Sequence, residues 1–156
     1  MDEIYLTKEG HQKLVEDLEY LKTVKRRQLS KAVGEARAHG DISENAEYDA
    51  AKDAQALNEK RISELAEKLS NARLLDDANM PKDEVLIGAT VRIKDLDTDE
   101  EFTYTLVSEM ESDYEQNKIS VNSPVAKGLL NHKVNETVEI TIPAGVLRYK
   151  ITAISR

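Results

Sequence analysis

The sequence of 156 residues has no cysteine, no tryptophan, and only three prolines and three histidines. Without cysteine the chain can form no disulfide, no thiolate metal site and no cysteine nucleophile, and three scattered histidines argue against a zinc site. No stretch approaches the roughly 18 apolar residues that span a bilayer, and the acidic N-terminus lacks the basic and apolar regions of a secretory signal. We therefore expect a cytoplasmic protein that does not associate with a membrane.

Basic charge is also in deficit, since 22 Lys and Arg against 30 Asp and Glu give a formal net charge of -8. Non-specific binding to phosphate backbones is driven by an excess of Lys and Arg, so this balance argues against an indiscriminate nucleic-acid binder. The sequence also lacks the serine nucleophile elbow, the phosphate-binding loop, the dinucleotide-binding glycine pattern and the His-Glu-x-x-His zinc motif. It thus predicts no stand-alone active site.

The first half of the chain has the composition of helices, because it contains no proline and is dominated by Ala, Leu, Glu and Lys. Apolar residues recur there at helical spacing in two stripes, the first of which follows Thr7, a suitable N-cap. The stripes consist of Leu14, Leu18, Leu21, Val24, Leu29, Ala32, Val33 and Ala36, and of Ala50, Ala54, Leu57, Arg61 or Ile62, Leu65, Leu69, Ala72 and Leu75. Gly40 with the following Asp and Ser can end one helix and cap the next. Residues 1–76 are therefore predicted to form an antiparallel coiled-coil hairpin with arms of about 30 residues, about 45 Å long.

The second half, residues 77–156, contains short runs rich in Val, Ile, Thr and Tyr, which predict strands. The predicted strands are residues 85–94, 101–108, 118–122, 136–142 and 148–154. Ser123 and Pro124 suit the cap and first turn of one short helix. The predicted fold class is α+β: the hairpin, followed by a small domain with an antiparallel sheet and one short helix.

Acidic residues crowd the predicted bend of the hairpin, at Asp41, Glu44, Glu47 and Asp49. One interpretation is structural, since Asp41 three residues before Glu44 fits a capping box and a helix N-terminus favours carboxylates. The other is functional, since two carboxylates at an exposed tip offer hard oxygen ligands for magnesium and can orient or deprotonate water. Two carboxylates alone hold magnesium weakly, so the functional interpretation requires a second protein that supplies further ligands.

Basic residues flank the same bend, with Arg37 shortly before it and Lys52 shortly after it. One interpretation assigns them to a solvated helix face with ion pairs between residues four apart, to acids such as Glu35 and Asp49. The other has them attract a nucleic-acid backbone toward the carboxylates. The spacing leaves both interpretations open.

Four segments of the sequence, in order, resemble the Gre family of bacterial transcript cleavage factors. Residues 36–48, ARAHGDISENAEY, resemble the tip signature of that family. Residues 5–10 resemble the opening of the family's sequences, residues 68–72 resemble the end of the second arm, and residues 119–129 resemble the C-terminal signature. Since several separated motifs agree over nearly the whole chain, the resemblance is far more specific than any one motif.

The resemblance implies an N-terminal coiled-coil hairpin and a C-terminal domain with an FKBP-like fold, and it implies no isomerase activity. In this family the C-terminal domain docks at the rim of the secondary channel of bacterial RNA polymerase, and the hairpin reaches the catalytic centre of a backtracked complex. The implied function is a transcription elongation factor that stimulates polymerase to cleave the 3′ end of its own transcript. The implied partners are RNA polymerase and the nascent RNA 3′ end, and a monomer is expected.

The resemblance also assigns roles to individual residues. Asp41 and Glu44 match the two tip acids that help to bind a second magnesium ion and position the attacking water, the ion being shared with polymerase and not a tightly bound cofactor. Lys52 falls where the family carries a basic residue facing RNA. The segment held to contact polymerase matches Ser123, Pro124 and Val125.

Two other functions stay open on the sequence. A Gre-like protein that occupies the channel would inhibit polymerase without stimulating cleavage, although the intact Asp41 and Glu44 argue against this. A coiled-coil adaptor or holdase whose tip acids only cap and solubilise would keep its function after replacement of both acids by their amides.

Overall fold

A computed structural model describes residues 3–39 and 46–156 of the chain. They fall into a helical unit, Glu9–Ala72, and a sheet unit made of Glu3–Lys8 and Arg73–Arg156. The boundary after residue 76 that the sequence suggested stays a prediction.

The helical unit contains two long stretches of helix. The first consists of α1 (Lys8–Tyr20), one π-helical stretch (Leu21–Lys25) and α2 (Arg26–Ala38), and the second is α3 (Ala46–Ser70). Contacts between the two stretches run in opposite directions, because Leu21 contacts Asn58 whereas Arg37, later in the first stretch, contacts Tyr48, earlier in α3. The predicted antiparallel hairpin is thereby confirmed.

The π-helical stretch changes which side chains face the second arm. A π turn contains more residues than an α turn, so Val24 is exposed and Lys25 is half-buried in its place. The buried amide of Asn58 donates a hydrogen bond of 3.1 Å from Nδ2 to the carbonyl oxygen of Leu21, the first residue of this stretch. The prediction that Val24 faces the other arm was wrong.

The face of α3 also differs from the predicted stripe. Ala50, Ala54 and Leu57 are exposed, whereas Asn58 and Ile62 are buried. The apolar spacing therefore placed the first half of the stripe on the wrong side of this helix, although the helix itself is confirmed.

The sheet unit contains seven strands. One of them begins at Ala72, which is the last residue of the helical unit. A two-stranded sheet pairs β1 (Ile4–Leu6) with β2 (Ala72–Leu74), neither of which was predicted. The second sheet has the order β5-β4-β3-β7-β6. Its strands are β3 (Thr90–Asp95), β4 (Glu101–Val107), β5 (Lys118–Ser120), β6 (Thr137–Ile142) and β7 (Gly145–Ser155).

All pairs in the larger sheet are antiparallel except β4 with β5, which is parallel, so the sheet is mixed. The α+β class is confirmed. The first predicted strand is shorter than expected, because residues 86–89 form a turn in which Gly88 has a φ of 88° and the Ala89 amide donates to the carbonyl oxygen of Leu86.

The core of this unit lies on the face of the larger sheet that α4 (Pro124–Leu129) covers. Ala126 and Leu129 of this helix are fully buried and α4 packs on β6. A Cβ at Gly128 would overlap the Ile140 side chain, so glycine allows the helix to approach β6 this closely. The buried cluster comprises Val85, Ala89, Val91, Ile93, Leu106, Ile119, Ala126, Leu129, Val138, Ile140, Tyr149 and Ile151.

The last residue, Arg156, anchors the segment that precedes β3. Its side chain is only 1% exposed. Its Nη2 donates to the Asp77 carboxylate at 2.9 Å and to the Ile87 carbonyl oxygen at 2.6 Å. A Cβ at Gly88 would lie 2.7 Å from the same nitrogen, so that glycine leaves room for the guanidinium.

Candidate functional site at the end of the hairpin

The predicted tip acids, Asp41 and Glu44, lie outside the described residues, so their role stays a prediction. The structure describes the two helix ends that flank them in the chain, where α2 ends at Ala38 and α3 begins at Ala46. Six residues, 40–45, separate the described ranges. The candidate site is therefore built from the last turn of α2 and the first turns of α3.

Arg37 and Tyr48 join the two arms at this end. The guanidinium carbon of Arg37 lies 5.8 Å from the centroid of the Tyr48 ring, within the range of a cation–π interaction. Arg37 Nη2 also donates to the Tyr48 hydroxyl oxygen at 3.4 Å. This hydrogen bond is the main cause that lowers the pKa of the Tyr48 hydroxyl below its ordinary value. The two residues form a contact that we call the Arg37–Tyr48 clasp.

A second pair joins the same ends. His39 Nε2 lies 3.8 Å from Glu47 Oε2, and both side chains are exposed. The pair attracts only when His39 is protonated, and solvent screens an exposed pair. It therefore adds little stability to this end of the hairpin.

Lys52, the other predicted RNA-facing residue, is exposed on α3 and donates from Nζ to Gln55 Oε1 at 3.2 Å. Within the described ranges it forms no ion pair. Lys31 and Glu35, in contrast, form an ion pair between residues four apart in α2, with 3.9 Å between Nζ and Oε1. The RNA-facing roles of Arg37 and Lys52 stay predictions.

A basic groove on the hairpin was not singled out in the sequence. Its volume is about 580 Å³. Arg26 pairs across the arms with Glu59 through two hydrogen bonds of 2.8 and 2.9 Å. The lining residues are Lys22, Thr23, Arg26, Arg27, Ser30, Gln55 and Glu59. The basic run that ends in Arg26 and Arg27 was the feature of the sequence that could have indicated this groove. Its position beside Gln55 of α3 could not be predicted, because it depends on how the two arms pair.

The predicted polymerase-contact segment lies at the start of α4 in the sheet unit. Ser123 Oγ accepts a hydrogen bond from the Ala126 amide at 3.2 Å and donates to the Ser120 carbonyl oxygen at 2.7 Å. Pro124 is exposed and Val125 is half-buried against the core. The predicted cap is confirmed, and the contact with polymerase stays a prediction.

The described residues contain no group of three or more His, Cys, Asp or Glu side chains that could hold a metal ion. The predicted magnesium ligands, Asp41 and Glu44, lie outside those residues. Their carboxylate oxygens are the donors that magnesium prefers, and this ion is usually held by only one or two protein carboxylates together with water and phosphate. The donor set therefore fits a shared magnesium ion. No helix within the described ranges is both long and apolar enough to cross a membrane.

Two family models match nearly the whole chain. The model described as "Transcription elongation factor, N-terminal" matches residues 4–74, and the one described as "Transcription elongation factor, GreA/GreB, C-term" matches residues 80–156. The first range contains the helical hairpin together with β1 and β2, and the second contains the larger, mixed sheet and α4. The fold and both matches define a transcription elongation factor.

Curated relatives make the assignment more specific. Transcription elongation factor GreA of Chloroherpeton thalassium is 52% identical over 96% of this chain and 95% of that protein. GreA of Caldanaerobacter subterraneus subsp. tengcongensis is 49% identical over 98% of both. The crystal structure of GreA factor homolog 1 (Gfh1) of Thermus thermophilus is 28% identical, covers 99% of this chain and 100% of that one, and has a TM-score of 0.46. The chain belongs to the GreA/GreB family, which confirms the resemblance.

Proposed function

We propose that this elongation factor binds bacterial RNA polymerase and stimulates cleavage of the 3′ end of a backtracked transcript. The observation that carries the proposal is the similarity of nearly the full chain to proteins named transcription elongation factor GreA, 52% and 49% identical to it. In this proposal the hairpin enters the secondary channel of a polymerase in the cytoplasm, and the protein acts as a monomer.

The helices of the hairpin support this proposal. Lys8–Tyr20, Leu21–Lys25 and Arg26–Ala38 follow one another without a gap, and at 1.5 Å per residue they extend for about 45 Å. Helices of this length can carry a functional group deep into a channel. The functional group is then whatever the chain places between α2 and α3, and the sequence places Asp41 and Glu44 there.

Asp41 and Glu44 would hold magnesium together with acids of the polymerase. When bound, that ion supplies the charge stabilisation that phosphoryl transfer needs. The carboxylates of this chain would also orient water at the scissile phosphate. Because the chain contributes only part of such a site, it has no active site of its own and no tightly bound cofactor in this proposal.

The remaining residues would bring the hairpin and the RNA together. Lys52 and Arg37, one on each arm beside the tip, would attract the RNA backbone through their positive charge. Pro124 is exposed at the start of α4 and would contact polymerase together with Ser123 and Val125. The net charge of -8 disfavours binding to nucleic acid outside the polymerase complex.

The experiment is transcript cleavage in a stalled, backtracked polymerase complex. We expect cleavage with the intact chain and none above the polymerase background with the Asp41→Asn, Glu44→Gln variant, while polymerase binding is retained. The matched control is Glu47→Gln, Asp49→Asn, which removes the same number of charges from the first turn of α3. Loss of cleavage in both variants would assign the effect to charge in general and would overturn the role of the tip acids.

The inhibitor alternative is not favoured, because the relatives that match this chain at 46% identity or more over nearly their full length are named elongation factors. The adaptor alternative is not favoured for the same reason.

A further inference from the structure

We propose that Asn58 of α3 selects the π-helical form of Leu21–Lys25 and thereby fixes the register of the hairpin, that is, which side chains of the first arm face the second. The inference concerns the helical unit alone. It holds whether or not the chain acts on polymerase, so it does not rest on the proposed function. It gives a role to a buried polar residue that the proposed function does not use.

Side-chain donors meet backbone carbonyl oxygens at the π-helical stretch. Asn58 Nδ2 donates to the Leu21 carbonyl oxygen at 3.1 Å. Thr23 Oγ1 donates to the Glu19 carbonyl oxygen at 2.7 Å. In an α-helix each backbone amide donates to the carbonyl oxygen four residues earlier, whereas the Arg26 amide donates to that of Thr23, only three residues earlier. The side chains therefore supply donors where the α-helical hydrogen-bond pattern is interrupted.

The spacing of the inward side chains changes at the same place. Up to Lys25 the half-buried residues follow at intervals of three, four, three and four, and the next interval, to Leu29, is again four. A coiled-coil seam alternates three and four, so the first arm has one residue more than this alternation requires. A π turn holds that extra residue. The half-buried residues are His11, Leu14, Leu18, Leu21, Lys25 and Leu29.

An α-helical form of the same stretch is the competing arrangement. Without the extra residue in the turn, the helix before it would rotate by about 100° relative to the helix after it, since an α turn holds 3.6 residues. Val24, which is exposed, would then replace the half-buried Lys25 against α3. Apolar burial alone favours that exchange. A different interaction must hold the π form, and the Asn58 hydrogen bond is a contact of the second arm with this stretch itself.

Asn58 has the properties of a polar residue that specifies register. It is only 3% exposed, and its Oδ1 is buried without a hydrogen-bond partner among the described residues. A buried unpaired oxygen lowers stability, and a single buried asparagine can fix the register of a coiled coil at such a cost. Removal of the Asn58 side chain should therefore release the register without destabilising the hairpin.

The first test measures the register by thiol labelling of the full-length chain. Because the chain has no cysteine, a single reactive position can be introduced by Val24→Cys or by Lys25→Cys. With Asn58 in place, the Val24→Cys protein should react with a thiol reagent faster than the Lys25→Cys protein, since Val24 is exposed and Lys25 is half-buried. In combination with Asn58→Leu or Asn58→Ala, this order of rates should be lost or reversed.

The matched control is Gln55→Leu, which removes another amide side chain from α3. Gln55 is half-buried, and its Oε1 accepts a hydrogen bond from Lys52 of the same helix. The order of labelling rates should persist in this variant. An unchanged order in both Asn58 variants would overturn the inference. An order lost after Asn58→Leu but kept after Asn58→Ala would assign the effect to side-chain size and would overturn the role of the hydrogen bond.

The second test measures thermal unfolding of the same proteins by helical circular dichroism. Asn58→Leu should raise the melting temperature by about 2–4 °C, because it removes a buried unpaired oxygen. A residue that only contributes to packing would behave in the opposite way, with a lower melting temperature and an unchanged order of labelling rates. That combination would contradict the selection of register by Asn58.

Discussion

Within α1, α2 and α3 of the described chain, the buried residues are Val33, Asn58 and Ile62, whereas the sheet unit buries a continuous apolar cluster between α4 and its larger sheet. Polar contacts such as Arg26 with Glu59 and Asn58 with the Leu21 carbonyl oxygen also join the arms of the hairpin. Stability is therefore concentrated in the sheet unit. Most hairpin side chains remain available for interactions, so substitutions there should change function more than folding.

The largest expected effect is in the core of the sheet unit. Ile151 of β7 is fully buried and lies opposite Ile93 of β3. Ile151→Ala should lower the free energy of unfolding by about 2–5 kcal/mol, because it removes buried methylene and methyl groups and leaves a cavity. The measurement is chemical denaturation, with Val146→Ala in the same strand as an exposed control. Equal losses in both variants would contradict the location of the core.

A smaller effect is expected from the buried C-terminal arginine. Arg156→Met should cost about 1–3 kcal/mol, because the Ile87 carbonyl oxygen and the Asp77 carboxylate lose their donor. Arg148→Met is the matched control, since Arg148 is half-exposed and its Nη1 lies 3.8 Å from Asp97. A loss of stability in the control as large as that in Arg156→Met would show that burial of the guanidinium is not the cause.

The smallest effect should be seen on the hairpin, at Glu59. Its hydrogen bond with Arg26 lowers the pKa of Glu59 in the folded chain. The stabilisation by this pair is therefore complete above the unfolded-state pKa of the carboxyl group and is lost as the pH falls through the lower folded-state value. Thermal melts followed by helical circular dichroism should show a small difference between the intact chain and Glu59→Gln at neutral pH.

This difference should disappear in acid. Glu64→Gln serves as the control, because Glu64 lies 3.9 Å from Lys60 within one helix and joins no second arm. A difference for Glu59→Gln that persisted unchanged at low pH would mean that the side chain acts through packing and not through its charge.

Much of this architecture could be predicted because it depends on local signals. The helices follow from a first half without proline, and Ser123 with Pro124 marked the start of α4, where Ser123 does accept the Ala126 amide hydrogen bond. The strands of the larger sheet were predicted from their Val, Ile, Thr and Tyr content. Parallel pairing of β4 with β5 could not be predicted, because it depends on contacts between distant residues.

The errors have physical causes. Two polar side chains occupy positions of α3 that the predicted apolar stripe left out. Asn58 is buried and donates to the Leu21 carbonyl oxygen, and Gln55 is half-buried and accepts a hydrogen bond from Lys52. Apolar spacing therefore selected Leu57 and its neighbours instead. Strand β1 was missed because a run of three residues has no period to detect. The clasp was missed because Arg37 and Tyr48 become neighbours only when the two arms pair.

The central claim is that this elongation factor contributes two carboxylates to transcript cleavage inside polymerase. The most direct test is cleavage in a backtracked complex by the intact chain and by Asp41→Asn, Glu44→Gln, with polymerase binding measured in parallel. The account predicts cleavage by the intact chain and none above background by the variant, with equal binding. Equal cleavage by both proteins would contradict it.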